Sequence, residues 1–363
     1  MNREELCKEV NNALNNFRFC GKADVAQRYG NGHINDTFIT ETDEGKKYIV
    51  QRINTDIFTD PEGLMNNIKL VTDHLRTQTI AEGGDAEREV MQIIPTADGK
   101  LFFTDKNGSA WRAYDFVTDS LSLDRPRNPN DTYIAAQGFG KFASRLVDFD
   151  ASVLTETIPH FHDTPRRYAA LIRAVSADKC MRTKEVYKEI EFAGAREQYT
   201  LKLAHSSLPL RVTHNDTKLN NILFDKDGDR TLCVIDLDTV MPGYSVTDFG
   251  DFVRVSASTA AEDEADLSKV DIDLELYEKC VSGFISGCGG RLTGEELLLL
   301  HDGARMMTLE CGIRFLTDYL EGDVYFRTAY PEHNLVRCRN QFRLVKRMEE
   351  KSEEMKAIAQ KYL

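Results

Sequence analysis

Four residues in the run Val212 to Phe224 have the types and spacing that phosphoryl transfer needs: His214, Asp216, Lys218 and Asn221. Moving a γ-phosphoryl group asks little covalent chemistry of a protein. It needs the acceptor hydroxyl aligned and negative charge held by metal and cations. The loop that does this has the form H-R-D-x-x-x-x-N, and the interval from Asp216 to Asn221 agrees with it. Asn215 replaces the arginine. Asp216 is then the carboxylate that accepts the acceptor's proton. Lys218 stands where a cation meets the γ-phosphate, and Asn221 offers a neutral oxygen to a hard cation.

A second metal ligand should follow on a nearby apolar strand. The run Thr231 to Ile235 is such a strand, and Asp236 at its end is the candidate. Asp238 could touch the same ion or a water. Asp248-Phe249-Gly250 imitates a metal-binding D-F-G triplet, but no strand precedes it and it opens a helix. Asp248 and Asp251 are therefore expected to be helix caps or loop anchors. The competing reading of the whole constellation is a polar loop before a hairpin, with Asp216 and Asn221 making turn hydrogen bonds.

The positioning elements change character along the chain. Val25 to Tyr29, Thr37 to Thr40, Lys47 to Ile53, Glu89 to Pro95, Leu101 to Thr104 and Ala110 to Val117 read as strands. A helix begins after Asp60-Pro61, with Leu64, Ile68, Val71 and Leu75 on one face. Helical patterns then run over Asp131 to Leu146, Lys184 to Leu203, Asp271 to Ile285, Gly294 to Leu320 and Glu332 to Tyr362. The expected division is a nucleotide-binding lobe over 1–117 and a catalytic and acceptor-binding lobe over 118–363. The fold class is α+β and protein-kinase-like: a small strand-rich N-lobe and a large, mainly helical C-lobe.

On the nucleotide side, Gly30 and Gly32 lie in a turn whose N–H groups could approach phosphate oxygens; Gly-Asn-Gly is also a good hairpin turn. Arg52 is the candidate cation for the α/β-phosphates, and Lys46 and Lys47 are expected to be solvated. The helix after Pro61 carries an acid only at its start, Glu62, so the usual Lys–Glu pair has no obvious counterpart. Phe116 and Val117 could frame the adenine.

With these residues in place, the chain resembles the aminoglycoside phosphotransferase and choline kinase superfamily, and most of all the N-acetylhexosamine 1-kinases. The matching stretches are Tyr29 to Phe38, Tyr48 to Asn54, His214 to Leu223, Val234 to Gly243, Asp248 to Asp251 and Ala257 to Asp263. The resemblance implies ATP-dependent phosphorylation of the anomeric hydroxyl of N-acetylglucosamine or N-acetylgalactosamine. Asp216 would be the base, with Asn221 and Asp236 on Mg²⁺. It implies sugar contacts from His33, Asp36 and Arg314. Arg314 could otherwise pair with Glu310 one turn back on a helix surface. Tyr319 or Tyr325 could stack on the sugar ring.

Composition narrows the field. The formal net charge of the 363 residues is -13, which argues against a nucleic-acid binder. No apolar run approaches a membrane span, and the N-terminus shows no secretory pattern. The 8 cysteines form no metal-ligand spacing, which fits free thiols in a reducing cytoplasm. Two alternatives stand beside the sugar kinase: a kinase for another small hydroxyl compound (a plain sugar, amino alcohol or aminoglycoside) and a nucleotide-binding regulator without turnover. A protein kinase is disfavoured, because the interval from Asp236 to Asp248 leaves no room for an activation segment.

Overall fold

Alternating apolar side chains in Asp36–Glu41 and Lys47–Arg52 put Phe38, Tyr48 and Val50 on one face of an antiparallel pair. This pair is the centre of the first of two compact units. The computed structural model describes residues 3–30, 34–204 and 206–362. The first unit comprises Met1–Ser120, Ser152–Pro159 and Leu232–Met241; the second comprises Leu121–Ala151, His160–Thr231 and Pro242–Leu363.

In the first unit a helix α1 (Arg3–Leu14) precedes strands β1 (Ala26–Arg28), β2 (Asp36–Glu41) and β3 (Lys47–Arg52). Helix α2 (Pro61–Ala81) follows, then β4 (Ile93–Ile94), β5 (Phe103–Thr104) and β6 (Ala110–Asp115). The sheet order is β1-β2-β3-β6-β4, with β5 also on β6. One face buries Phe38, Tyr48, Val50 and Trp111 against Val10 and Leu14 of α1. Met65 of α2 meets Arg112 and Tyr114, which alternate with Trp111 and so face the other way. Asp60 accepts the Gly63 N–H at 3.0 Å and Pro61 occupies the first turn, as the sequence predicts. The strand expected over Glu89 to Pro95 shrinks to Ile93–Ile94, because Ala86–Glu89 form a helical turn capped by Asp85.

The second unit is mainly helical. Its core gathers Leu309, Ile313 and Leu316 of the long helix Gly294–Glu321 with Leu171, Leu335, Phe342 and Val345. That helix starts on a Thr293/Glu296 capping box and ends at Gly322, whose φ of 105° only glycine adopts readily. The helix Ser245–Ser256 crosses it at Gly250 and Gly303. A methyl group on either glycine would run into backbone of the other helix. The helix expected over Lys184 to Leu203 is broken into a 3₁₀ turn, Tyr187–Gly194 and Glu197–Thr200. Gly194 marks the break, where helix propensity falls. The helix expected over Glu332 to Tyr362 divides at Lys351. Among the described residues no helix is long and apolar enough to cross a membrane.

Candidate active site

In the second unit the short strands Arg211–Thr213 and Ile222–Asp225 bracket the loop that carries Asp216. Val212, Thr213 and His214 are buried, and the His214 ring lies edge-on to Phe139 and Phe142, with centroids 5.7 and 5.9 Å away. The chain then turns sharply. Asn215 has φ of 63°, a left-handed conformation that asparagine tolerates better than most residues. Where the usual loop has arginine, this position therefore serves backbone geometry.

The turn is held by the first half of the helix Ser245–Ser256. Asp248 accepts the N–H of His214 at 2.8 Å and of Asn215 at 2.7 Å. Its main-chain oxygen accepts from Thr217 Oγ1, and Asp251 accepts the Thr217 N–H at 3.0 Å. Asp248 is thus a loop anchor, as expected, although a short strand, Met241–Gly243, does end just before its helix; Asp248 lies in the first turn of that helix and not at the strand end. Burial pushes its carboxyl up to about 6, against the lowering effect of His214 and of the two amides. Asp251 also takes Arg254 Nη2 at 2.8 Å, and Arg254 reaches on to Glu262.

On this support the predicted catalytic residues come together. Lys218 Nζ lies 2.7 Å from Asp216 Oδ1. The Asn221 amide donates to Asp216 Oδ2 at 3.0 Å and to the Asp216 main-chain oxygen at 2.9 Å. Burial opposes ionisation of Asp216, but Lys218 outweighs it and holds the carboxyl below its usual range. Asp216 is therefore an ionised acceptor at neutral pH. The proton of a hydroxyl can move to it only once that oxygen has become strongly acidic, late in a transfer.

The remaining predicted residues of the second unit centre on Arg314. Its guanidinium stacks over Phe161 at 4.8 Å and Phe326 at 5.4 Å from the ring centroids. It is not paired with Glu310 in a surface salt bridge: the Glu310 carboxylate goes to His162 and Thr164. Tyr319 is only 2% exposed and belongs to the helical core, so it offers no stacking face. Tyr325 is exposed, on a loop whose amides at Val324, Tyr325 and Phe326 all bond Asp318.

The first unit holds the other candidates. Gly30 has φ of 71° in a turn closed by the Tyr29 N–H on the Thr37 oxygen. Gly32 and His33 lie outside the described residues. Tyr29 meets Phe116 edge-on at 6.0 Å, and the Val117 oxygen accepts from Ser120 Oγ. Asp36 and Arg52 are brought together, but with each other: Arg52 Nη2 is 2.6 Å from Asp36 Oδ2, and Arg28 takes Oδ1 at 2.9 Å. Strand alternation sets this cluster on the α1 face of the sheet.

The opposite face carries a cation that sequence reasoning missed. Arg112 on β6 is 1% exposed, and its guanidinium meets Asp238 at 2.6 and 2.8 Å and the Gln51 side-chain oxygen at 3.0 Å. Burial disfavours its charge, but the Asp238 carboxylate more than offsets this. Asn35 Nδ2 completes Asp238 at 2.6 Å. Asn67 of α2 bonds the Val240 oxygen, and Thr157 Oγ1 bonds the Asp238 oxygen. The segment after Asp236 is thereby pinned, and Asp236 itself sits at φ of 59°. The signal available was a lone arginine within the apolar run of β6.

A side-chain amide oxygen suits a hard divalent cation. With its NH₂ committed to Asp216, Asn221 turns its amide oxygen the other way. Among the described residues no group of three or more His, Cys, Asp or Glu could hold a metal unaided. An ion that keeps several waters and takes oxygens from substrate phosphates needs no such cage, only one or two protein oxygens.

Residues 25–280 match the profile of the phosphotransferase enzyme family. Among solved structures, the chain is similar to a microcompartment-associated aminopropanol kinase, with a TM-score of 0.60 and 15% identity over 96% of this chain and 98% of that one. It is similar to an amicoumacin kinase solved with AMP-PNP, Ca²⁺ and Ami: TM-score 0.59, 12% identity, 97% of this chain and 94% of that one. It also resembles an aminoglycoside phosphotransferase from Alicyclobacillus acidocaldarius, with a TM-score of 0.58 and 12% identity over 93% and 91%. These likenesses show the α+β, protein-kinase-like fold.

Proposed function

Because this chain belongs to the phosphotransferase enzyme family, we propose that it is an ATP- and Mg²⁺-dependent kinase for a small hydroxyl compound. The acceptor proposed, on the sequence resemblance, is the anomeric hydroxyl of an N-acetylhexosamine. The observation that carries the reading is the Asp216 carboxylate. It stands ionised beside Lys218 and Asn221, on a turn clamped by Asp248 and Asp251. Asp216 orients the acceptor hydroxyl. As the new O–P bond forms and the bond to the β-phosphate oxygen breaks, the hydroxyl proton passes to Asp216 and ADP leaves. Lys218, beside Asp216, would meet the charge of the transferring group.

Asn221 and Asp236 would hold the metal, whose part when bound is to neutralise phosphate charge. Gly30, Gly32 and Arg52 would approach the phosphates, and Phe116 and Val117 the adenine. His33, Asp36 and Arg314 would contact the sugar. Support for a neutral acceptor comes from the surroundings of Arg314: the carboxylate one turn back, Glu310, is already committed to His162. The neighbours named for aminopropanol and aminoglycosides favour the second reading, an amino-alcohol or aminoglycoside kinase.

The test is ADP release from ATP and Mg²⁺ with N-acetylglucosamine, N-acetylgalactosamine, galactose, choline and kanamycin. The N-acetylhexosamines should give the highest kcat/KM. Turnover with choline or kanamycin alone would replace the sugar reading by the second one. No turnover of any acceptor would remove both.

A further inference from the structure

Neither the catalytic chemistry nor the hydrophobic core accounts for the surroundings of His162. Its Nδ1 lies 2.7 Å from Glu310 Oε1, and its Nε2 lies 3.1 Å from the main-chain oxygen of Asn215. A carboxylate and a carbonyl both accept. A neutral imidazole has one N–H and could serve only one of them. Two acceptors on two ring nitrogens is the geometry of an imidazolium. Glu310 supplies the countercharge. It is fully buried, and its other oxygen accepts from Thr164 Oγ1 at 2.5 Å. Burial would push the Glu310 carboxyl up, but His162 outweighs this and holds it below the usual range.

Asn215 is therefore gripped at both ends. Its N–H goes to Asp248 and its oxygen to His162, across a left-handed turn that ends at Asp216. We propose that the His162–Glu310 ion pair is a positioning strut for the catalytic loop, tying the carbonyl before Asp216 to the long helix Gly294–Glu321. Glu310 lies one turn before Arg314 on that helix. The strut thus joins the base to the element that carries the candidate acceptor contact. The inference rests on Asp216 being the base. It assigns His162 no contact with substrate.

His162→Ala and Glu310→Gln, alone and combined in the full chain, test this, with Asp216→Asn assayed alongside. Folded His162→Ala should lose about 10- to 100-fold in kcat, since an ångström of misplacement can cost that much. Its KM for ATP should stay within about twofold, because nucleotide binding is not what the strut supports. The double variant should be no worse than the poorer single, since both changes cut one connection. A folded His162→Ala enzyme with kcat within about twofold of the parent overturns the strut, as do losses that multiply in the double variant. The ring ¹⁵N spectrum of the unsubstituted protein is a second readout, with His162 identified by its absence in His162→Ala. With an acceptor on each side of the ring, two protonated nitrogens are expected in the folded protein, and a neutral tautomer overturns the ion pair. If His162→Ala does not fold, the kcat of Glu310→Gln decides the matter within the same limits. An active Asp216→Asn enzyme would remove the base assignment itself, whatever His162 does.

Discussion

Replacing Arg112 by methionine keeps the length of the side chain and removes the charge from the pair buried on the α2 face of the sheet. Asp238 would be left with Asn35 as its remaining side-chain donor, and the Gln51 oxygen would lose its arginine donor. Hydrogen bonds to charged groups contribute roughly 1.5–3 kcal/mol each. Removing one member of a buried pair costs roughly 3–5 kcal/mol, because the other charge is stranded. With both partners almost fully buried, the upper part of that range is expected. A loss of that size lowers the melting temperature on the order of 10 °C. Urea and thermal unfolding followed by far-UV circular dichroism measure it. Adding Asp238→Asn removes the stranded charge, so the double variant should recover about 1–3 kcal/mol over Arg112→Met. The Mg²⁺ concentration for half-maximal turnover should rise in Arg112→Met, since the pair pins the segment that begins at Asp236. Arg112→Met losing less than about 1 kcal/mol, or a double variant less stable than the single, would refute the reasoning.

Asp216→Asn should lower kcat by about 10²- to 10⁴-fold with an unchanged circular dichroism spectrum; single-turnover ADP release measures it. Asp236→Ala should raise the Mg²⁺ requirement at least about tenfold, and an identical Mg²⁺ titration would contradict its role. Asp248 should give kcat an acid limb centred near pH 6. Its folded pKa is raised, so its contribution to stability is full below its unfolded value and is lost as pH rises through about 6, a cost of about 3 kcal/mol at neutral pH. Protonation as pH falls strengthens the fold but takes one acceptor from the His214 and Asn215 amides, so activity falls while stability does not. Asp248→Asn should flatten that limb at a lower plateau. Asp216, held below its usual range, adds no limb there. Gly250→Ala should cost about 1–3 kcal/mol in denaturant unfolding, through the close crossing at Gly303.

The catalytic loop was legible because its chemistry fixes a local spacing: Asp216, Lys218 and Asn221 must all reach one place from one turn. Asp248 as an anchor was legible for a similar local reason: it opens a helix and does not end a strand. The Arg112–Asp238 and His162–Glu310 pairs join residues 126 and 148 positions apart, and no local period announces such partners. Arg52 has a partner that residue type does not announce. Alternation along β3 puts it with Tyr48 and Val50 on the α1 face, where it pairs with Asp36. Helix α1 was overlooked for its polar composition, although Leu6, Val10, Ala13 and Leu14 carry the helical period. The helix Thr164–Ala177 buries only Thr164, Leu171 and Ala174, too sparse a stripe to stand out.

The Arg112–Asp238 pair also constrains how such a chain can diverge. Losing either member first leaves an ionised group sealed from water, and a lineage making that change would pass through a poorly folded ancestor. Descendants should therefore keep both residues or have exchanged both, making positions 112 and 238 a correlated pair across homologues. A lone exchange at one of them would mark a chain whose Asp236 segment is held some other way.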